Sequence, residues 1–243
     1  MMYLWEPAMI RFMEDASEQT TYNDEIADVL RKQLKDTDRV CDVGSGLGYL
    51  SDALAPYVAH VTAIDRNGNA VEATKRRLER KNLTNVEAVT ADAFIYKPER
   101  PFDAMVFCFF GQLDSVLRIA REQCDPAAGR IFVVTRNYSV HRFSVGRKPC
   151  GKGGADDMAE TLEEQRIPFV RTDLSLEFGQ PLRSLEDAML FFKTYSRDDD
   201  PALITEEFVR SKVEKRDRPG FPYYLPHRRE ISILFLQAAD LHR

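Results

Sequence analysis

The segment that most constrains the fold is Val40–Gly48, where an apolar run ends in Asp42 and three alternating glycines follow. An amphipathic stretch begins directly after the last of these glycines. Glycine tolerates the left-handed backbone conformations that a tight turn requires, so this order predicts a buried strand, a glycine turn and the start of a helix. Such a unit is typical of a parallel sheet whose strands alternate with helices.

A second apolar run, His60–Asp65, also ends in an acid. An ionised carboxylate at the end of this strand can accept hydrogen bonds from both hydroxyls of a ribose. The two runs together predict a pocket for a nucleotide-type ligand at the carboxyl edge of the sheet. A dinucleotide fingerprint would have glycine or alanine where this chain has Tyr49, so the spacing disfavours a nicotinamide-dependent oxidoreductase.

The pattern Asp42-x-Gly44-x-Gly46-x-Gly48 resembles motif I of the class I S-adenosylmethionine (SAM) methyltransferases. The signals that follow keep the order of that family, with an acid after the third strand and apolar strands near residues 104–109 and 130–135. The resemblance covers residues 36–136 and favours the small-molecule branch of the family, the methyltransferase type 11 or UbiE-like proteins. It implies SAM as the cofactor.

The resemblance also implies roles for individual residues. Asp42 would hold the methionine ammonium, the glycines would allow close approach of the ligand, and Asp65 would bind the ribose. Asp92 and Ala93 occupy the positions that contact the adenine in the family. The cofactor-binding residues predicted in this way are Asp42, Gly44, Ser45, Gly46, Gly48, Asp65, Arg66, Asp92, Ala93 and Phe107.

The alternation of strand and helix signals predicts an α/β fold with a doubly wound parallel sheet. The resemblance implies a mostly parallel seven-stranded sheet, the Rossmann-like methyltransferase fold, with an inserted helical lid. We expect an N-terminal helical cap over residues 1–35. The SAM-binding core should comprise residues 36–178 and 229–243. Residues 179–228 should form the inserted lid and the substrate region.

Bulk properties exclude few functions but favour some over others. The 243 residues suffice for one domain with an insertion, and the net charge of −5 disfavours nucleic acid as a partner. No apolar run approaches the roughly 20 residues of a membrane span. The four cysteines form no closely spaced pair, which is typical of a cytoplasmic protein with reduced thiols. The histidine spacing suggests no metal site, and the oligomeric state stays open.

Candidates for catalysis are few. The fourth strand ends in Phe107-Cys108-Phe109-Phe110, without the Asn/Asp-Pro-Pro-Tyr/Phe motif that enzymes of this fold usually carry when they methylate amino groups of bases. Tyr138 and His141 follow the fifth strand, at the edge where the active site is expected. An ordinary pKa near 6.5 would suit His141 to act as a general base, although a solvated surface histidine is the competing interpretation.

Residues 179–228 are rich in aromatic side chains, which predicts an apolar substrate pocket or, alternatively, simple packing. Tyr195, Tyr223 and Tyr224 are the candidate substrate contacts, because each combines an apolar ring with a hydroxyl that can orient a polar ligand.

The function predicted from these patterns is SAM-dependent methyl transfer to a small-molecule acceptor by in-line displacement. One alternative is methylation of RNA or protein by the same fold, for which residues 142–152 with Arg228 and Arg229 are the visible source of positive charge. Another is a SAM-binding module without turnover. The sequence leaves the acceptor and the accepting atom open.

Overall fold

The computed structural model describes residues 5–146, 148–198 and 200–242. Its helices are α1 (Pro7–Gln19), α2 (Tyr22–Leu30), α3 (Tyr49–Leu54), α4 (Gly68–Lys81), α5 (Leu113–Gln123), α6 (Ala155–Glu164), α7 (Leu185–Tyr195) and α8 (Glu206–Arg210). Its strands are β1 (Arg39–Val43), β2 (His60–Asp65), β3 (Val86–Thr90), β4 (Ala104–Cys108), β5 (Arg130–Arg136), β6 (Val170–Glu177), β7 (Gln180–Leu182), β8 (Glu214–Lys215), β9 (Tyr223–Leu225) and β10 (Arg228–Gln237).

Seven strands form the central sheet in the order β3-β2-β1-β4-β5-β10-β6. The pairs from β3 to β5 are parallel, whereas β10 runs antiparallel to both β5 and β6. The chain order reverses between β1 and β4, and ligands of such sheets bind at the carboxyl edge beside this point. The predicted doubly wound, mostly parallel seven-stranded sheet is therefore confirmed.

The apolar runs of the sequence reflect burial on both faces of this sheet. Val40 and Val106 pack into a core cluster with α2 and α3, whereas their strand neighbours Cys41 and Met105 pack into a second cluster with α5. Successive strand residues point to opposite faces, so a strand covered on both sides reads as a continuous apolar stretch.

The segment between β6 and β10 contains α7 and α8 together with a three-stranded antiparallel sheet in the order β7-β9-β8. It has its own apolar cluster, in which Phe191 and Phe192 of α7 are buried against Phe12 of α1. The rings of Phe12 and Phe191 meet edge-on, with their centroids 5.2 Å apart. The first helix therefore packs on the inserted segment, while α2 packs on the central sheet.

Candidate active site

The glycine turn joins β1 to α3 at the carboxyl edge of the sheet. Gly44, Gly46 and Gly48 have positive φ angles of 69°, 54° and 67°, which side chains other than glycine rarely adopt. The backbone N–H groups of Gly44 and Ser45 donate to the carbonyl of Ile64 at 2.8 and 2.9 Å. These bonds fix the turn against the end of β2, beside the second acid of the motif.

Asp65 is the side chain that fixes the middle of the turn. Its Oδ2 accepts a hydrogen bond from Gly46 N–H at 2.8 Å, and its Oδ1 accepts one from Asn67 N–H at 2.8 Å. A carboxylate oxygen has a second lone pair, so both oxygens can still accept from hydroxyl donors. Its neighbour Arg66, by contrast, is exposed.

Asp42 ends β1 as a buried carboxylate. Ser51 donates to its Oδ2 at 2.6 Å, but Oδ1 is buried and has no hydrogen-bond partner among the described residues. Burial raises the pKa of Asp42 to about 6, against the lowering effect of the Ser51 hydrogen bond. An unpaired buried acceptor is costly in a folded protein, so this oxygen is suited to a cationic donor.

Two aromatic rings lie against the turn, and the sequence analysis identified neither. A Cβ atom on Gly44 would be 2.5 Å from Cδ2 of Phe110, and one on Gly46 would be 2.8 Å from Cζ2 of Trp5. The rings of Phe110 and Trp5 therefore lie closer to the turn than a side chain at Gly44 or Gly46 would allow. Phe110 follows β4 and also packs on Phe107, with 5.7 Å between ring centroids.

The loop after β3 contains the two residues that were predicted to contact adenine, Asp92 and Ala93. Asp92 is exposed, and its Oδ1 accepts from Phe94 N–H at 2.9 Å. The Ala93 carbonyl accepts from the Gln123 side chain at 2.7 Å, which ties this loop to α5. Phe107 is fully buried in the core cluster of that face, so its side chain packs beneath the site.

A small cavity of ≈ 50 Å³ lies where α1, the loop after β5, the inserted segment and the start of β10 meet. Its walls are mostly apolar and comprise Met13, Ala16, Phe143, Phe178, Gln180, Phe191, Tyr195, Leu225, His227 and Arg229. Of the three tyrosines predicted to contact substrate, only Tyr195 is among these lining residues. Tyr223 and Tyr224 lie in β9, where the Tyr224 hydroxyl contacts the Glu177 carboxylate.

The two candidates for catalysis lie in the loop between β5 and α6. His141 Nδ1 lies 3.1 Å from Ser144 Oγ, and its ring packs on that of Phe143 in the cavity wall. Burial lowers the pKa of His141, with Arg197 adding to the effect, so the ring is neutral at neutral pH. Tyr138 lies under the guanidinium of Arg142, 5.5 Å from ring centroid to Cζ.

Cys108 ends β4 close to the same edge. Burial raises the pKa of its thiol to about 12, so the thiol stays protonated and acts as a small apolar group. Within residues 5–146, 148–198 and 200–242, no cluster of three His, Cys, Asp or Glu side chains could hold a metal ion. None of the helices described there is long and apolar enough to cross a membrane.

The turn has the donors and acceptors that SAM would need. The unpaired Oδ1 of Asp42 can accept from an ammonium, and Asp65 retains acceptor capacity for ribose hydroxyls. Gly44, Gly46 and Gly48 have no side chains of their own, and the rings of Phe110 and Trp5 beside them would have to shift to admit an amino-acid tail. The residues present therefore fit this cofactor.

Comparison with known proteins agrees with this site. Residues 40–127 match a family model described as a methyltransferase domain. A protein-L-isoaspartate O-methyltransferase of Methanoculleus marisnigri is 33% identical over 75 residues, which cover 30% of this chain and 34% of that protein. The chain thus spans about a third of the length of the curated relatives it matches.

Solved structures share the fold at low sequence identity. The YcgJ protein of Bacillus subtilis superposes with a TM-score of 0.58 and 15% identity, over 88% of this chain and 98% of that one. A SAM-dependent methyltransferase of Aquifex aeolicus gives a TM-score of 0.54 and 21% identity, over 71% and 93%. The family match identifies residues 40–127 as a methyltransferase domain, and the sheet topology is that of the Rossmann-like methyltransferase fold.

Proposed function

We propose that this protein transfers the methyl group of SAM to a small-molecule acceptor. SAM supplies an electrophilic methyl on a sulfonium, so the protein mainly has to hold the two reactants in line and keep water out. The observation that carries the proposal is the pair of carboxylates beside the glycine turn. Asp42 is buried with one oxygen unpaired, and Asp65 accepts a hydrogen bond from the backbone N–H of Gly46.

Each part of the site has a role in this proposal. Asp42 pairs with the ammonium, Asp65 with the ribose, and the loop at Asp92 and Ala93 with the adenine. The remaining proposed cofactor contacts are Gly44, Ser45, Gly46, Gly48, Arg66 and Phe107. Residues 36–178 and 229–243 form the core in this proposal, with residues 1–35 as a cap and residues 179–228 as a lid over the acceptor.

A small acceptor is favoured by the position and the walls of the cavity. The cavity is lined mostly by apolar side chains, including aromatic rings from the inserted segment and the loop after β5, as is typical of a pocket for an apolar small molecule. Two of the basic residues that would favour an RNA substrate already have contacts within the protein. Arg228 donates to the Ser175 carbonyl, and Arg229 lies among aromatic rings in the wall of the small cavity.

A protein acceptor is the second candidate, favoured by the local identity to protein-L-isoaspartate O-methyltransferases. That identity extends over 75 residues, which cover under a third of this chain.

The two candidates are separated by methyl-transfer assays with radiolabelled SAM. Parallel reactions would contain a panel of small carboxylates, phenols and amines, an isoaspartyl peptide, or total RNA. We expect label only in small molecules, and the Asp65→Ala variant should lose that transfer. Label in the peptide or the RNA, with none in small molecules, would refute the small-molecule proposal.

A further inference from the structure

Arg229 is a partly buried cation close to the carboxyl edge of the parallel strands. It lies at the start of β10, opposite Leu176 of β6. Its guanidinium carbon is 4.8 Å from the ring centroid of Phe109, which directly follows β4, and 4.9 Å from that of Phe178. The arginine thus connects the end of β4 with the aromatic cavity, of which it forms part of the wall.

The charge of Arg229 is poorly compensated by the protein. Its Nε is buried without a hydrogen-bond partner among the described residues. The ionisable groups that act on it are Tyr22, Tyr138 and Cys108, and none is a carboxylate. Aromatic faces offset part of the desolvation cost of a buried guanidinium, but they do not satisfy its N–H donors. A buried cation without an anionic partner is costly, so such an arrangement points to a ligand.

The Tyr22 hydroxyl lies in the same surroundings. It is buried without a hydrogen-bond partner in the described part of the chain, and its ring centroid is 5.6 Å from the Arg229 guanidinium carbon. The Tyr22 ring also packs on Phe178, with centroids 4.4 Å apart. The Tyr22 hydroxyl and the Nε of Arg229 therefore lie together, and neither atom has a hydrogen-bond partner among the described residues.

The other polar groups of the cavity wall are uncharged. Burial lowers the pKa of His227 to about 3, and the neighbouring Arg229 and Arg142 lower it further, so His227 is a neutral imidazole at pH 7. Gln180 uses its Nε2 to donate to the Pro181 carbonyl. The cavity wall therefore presents a single full positive charge in apolar surroundings, which matches one negative charge rather than two.

We propose that Arg229, assisted by the Tyr22 hydroxyl, binds the carboxylate of a small and otherwise apolar methyl acceptor. This inference rests on the proposed function and names its substrate class, a monocarboxylic acid. The planar fork of arginine matches a carboxylate through two parallel hydrogen bonds. The cavity of ≈ 50 Å³ is far smaller than the roughly 150 Å³ cavity that holds a benzene ring, so it accepts the carboxylate and a few carbons. The cavity is partly open, so the body of a larger acceptor would extend beyond it.

The test is calorimetric titration of the full chain saturated with S-adenosylhomocysteine (SAH). The probes are matched pairs that differ in charge alone, butyrate with butyramide and 3-phenylpropanoate with 3-phenylpropanamide, with phenyl phosphate as a dianionic probe. We expect each acid to bind about tenfold or more tightly than its amide, because the amide leaves the guanidinium without its counter-charge.

Two variants test whether the preference for acids over amides depends on Arg229. Arg229→Met keeps the length of the side chain and removes its charge, so the preference for acids should disappear while SAH affinity is unchanged. Arg228→Met is the matched control, since the neighbouring Arg228 is exposed and donates to Ser175. It should keep the preference. If Arg229→Met does not fold, Arg229→Lys retains the charge but not the fork and should reduce the preference.

Each other outcome overturns the inference. Equal affinity for acid and amide, no binding of either probe, or an acid preference that survives in Arg229→Met would each refute an anion site at Arg229. If phenyl phosphate binds more tightly than the carboxylates, the site prefers a dianion, and the monocarboxylate proposal is wrong. Failure of SAH to bind would instead refute the proposed function, so the two failures are distinguishable.

Discussion

The buried charge of Asp42 destabilises the folded protein, but the same charge is required for its proposed role in binding the cofactor. Its pKa of about 6 in the folded protein exceeds the ordinary value of 3.8 because the carboxylate is buried. The folded state then binds more protons than the unfolded state between pH 3.8 and pH 6, so stability falls as pH rises through this range. Above pH 6 the buried charge destabilises the fold by about 3 kcal/mol.

The Asp42→Asn substitution should therefore stabilise the protein at pH 7 and weaken binding of SAH. The amide removes the cost of the buried charge, but it cannot pair with an ammonium. Thermal unfolding at pH 7 and at pH 4.5 checks the first part, since the gain should shrink at the lower pH. Calorimetry checks the second, and undiminished SAH affinity in the variant would contradict the assigned role.

Asp65→Ala tests the ribose contact. We expect SAH affinity to fall by more than about tenfold, because two charge-assisted hydrogen bonds are lost, while the protein stays folded. Circular dichroism should confirm the fold, although loss of the bond to Gly46 N–H will loosen the turn. Glu79→Ala is the control, as an exposed acid on α4. Equal affinity of wild type and Asp65→Ala for SAH would exclude this carboxylate from the site.

At the scale of elements, the glycine turn depends on the contact between α3 and α4. Arg77 of α4 donates to Asp52 of α3 through Nε at 2.7 Å and a terminal nitrogen at 3.1 Å, and both side chains are buried. The same guanidinium lies 3.9 Å from the Tyr49 ring centroid. This pair holds the two helices that begin on either side of the cofactor site.

Arg77→Met should destabilise the protein by about 3–5 kcal/mol, because Asp52 would remain buried with only Lys81 as its partner. Urea unfolding measures this change. Arg80→Met is the matched control on the same helix, where an exposed pair with Glu18 should contribute less than about 1 kcal/mol. Similar unfolding midpoints for the two variants would show that the buried pair does not support the turn.

Elements were predictable wherever burial imposes a pattern. The strand β2 has the predicted bounds His60–Asp65 because both of its faces are covered, whereas the fourth strand, expected over residues 104–109, ends one residue early at Cys108. Phe109 has a φ angle of +53°, which ends the extended conformation there. The second helix becomes a 3₁₀ turn after Leu30. The strands β7, β8 and β9 have two or three residues each, too few for a periodic signal.

The candidate site was predictable only where its residues are close in sequence. The glycine turn and Asp65 form a local motif whose spacing can be read directly. Arg229 acquires its significance from Tyr22, Phe109 and Phe178, which are distant in the chain and meet only in the fold. In the sequence, Arg229 is therefore one of several basic residues that could face an RNA or protein substrate, because no local pattern reports its aromatic surroundings.

For the molecule as a whole, His227 should make stability sensitive to acid. Its pKa of about 3 in the folded protein lies below the ordinary 6.5 because the ring is buried. The unfolded state binds more protons between these values, so this contribution is present above pH 6.5 and is lost as pH falls. At pH 5 the loss amounts to about 2 kcal/mol.

His227→Gln should reduce that loss, since glutamine does not titrate. The measurement is the free energy of unfolding in urea at pH 7.5 and pH 5 for both proteins. We expect the decrease between the two pH values to be smaller in the variant by about 2 kcal/mol. His242→Gln, at the far end of the chain, serves as a control. An identical decrease in wild type and His227→Gln would show that the imidazole is not buried as a neutral group.

The central claim is that the glycine turn binds SAM, and calorimetric titration of the whole protein with SAH tests it most directly. NAD is the parallel control, because the dinucleotide fingerprint is the competing interpretation of the same turn. The account predicts micromolar or tighter binding of SAH and none of NAD. Binding of NAD alone, or of neither ligand, would contradict it.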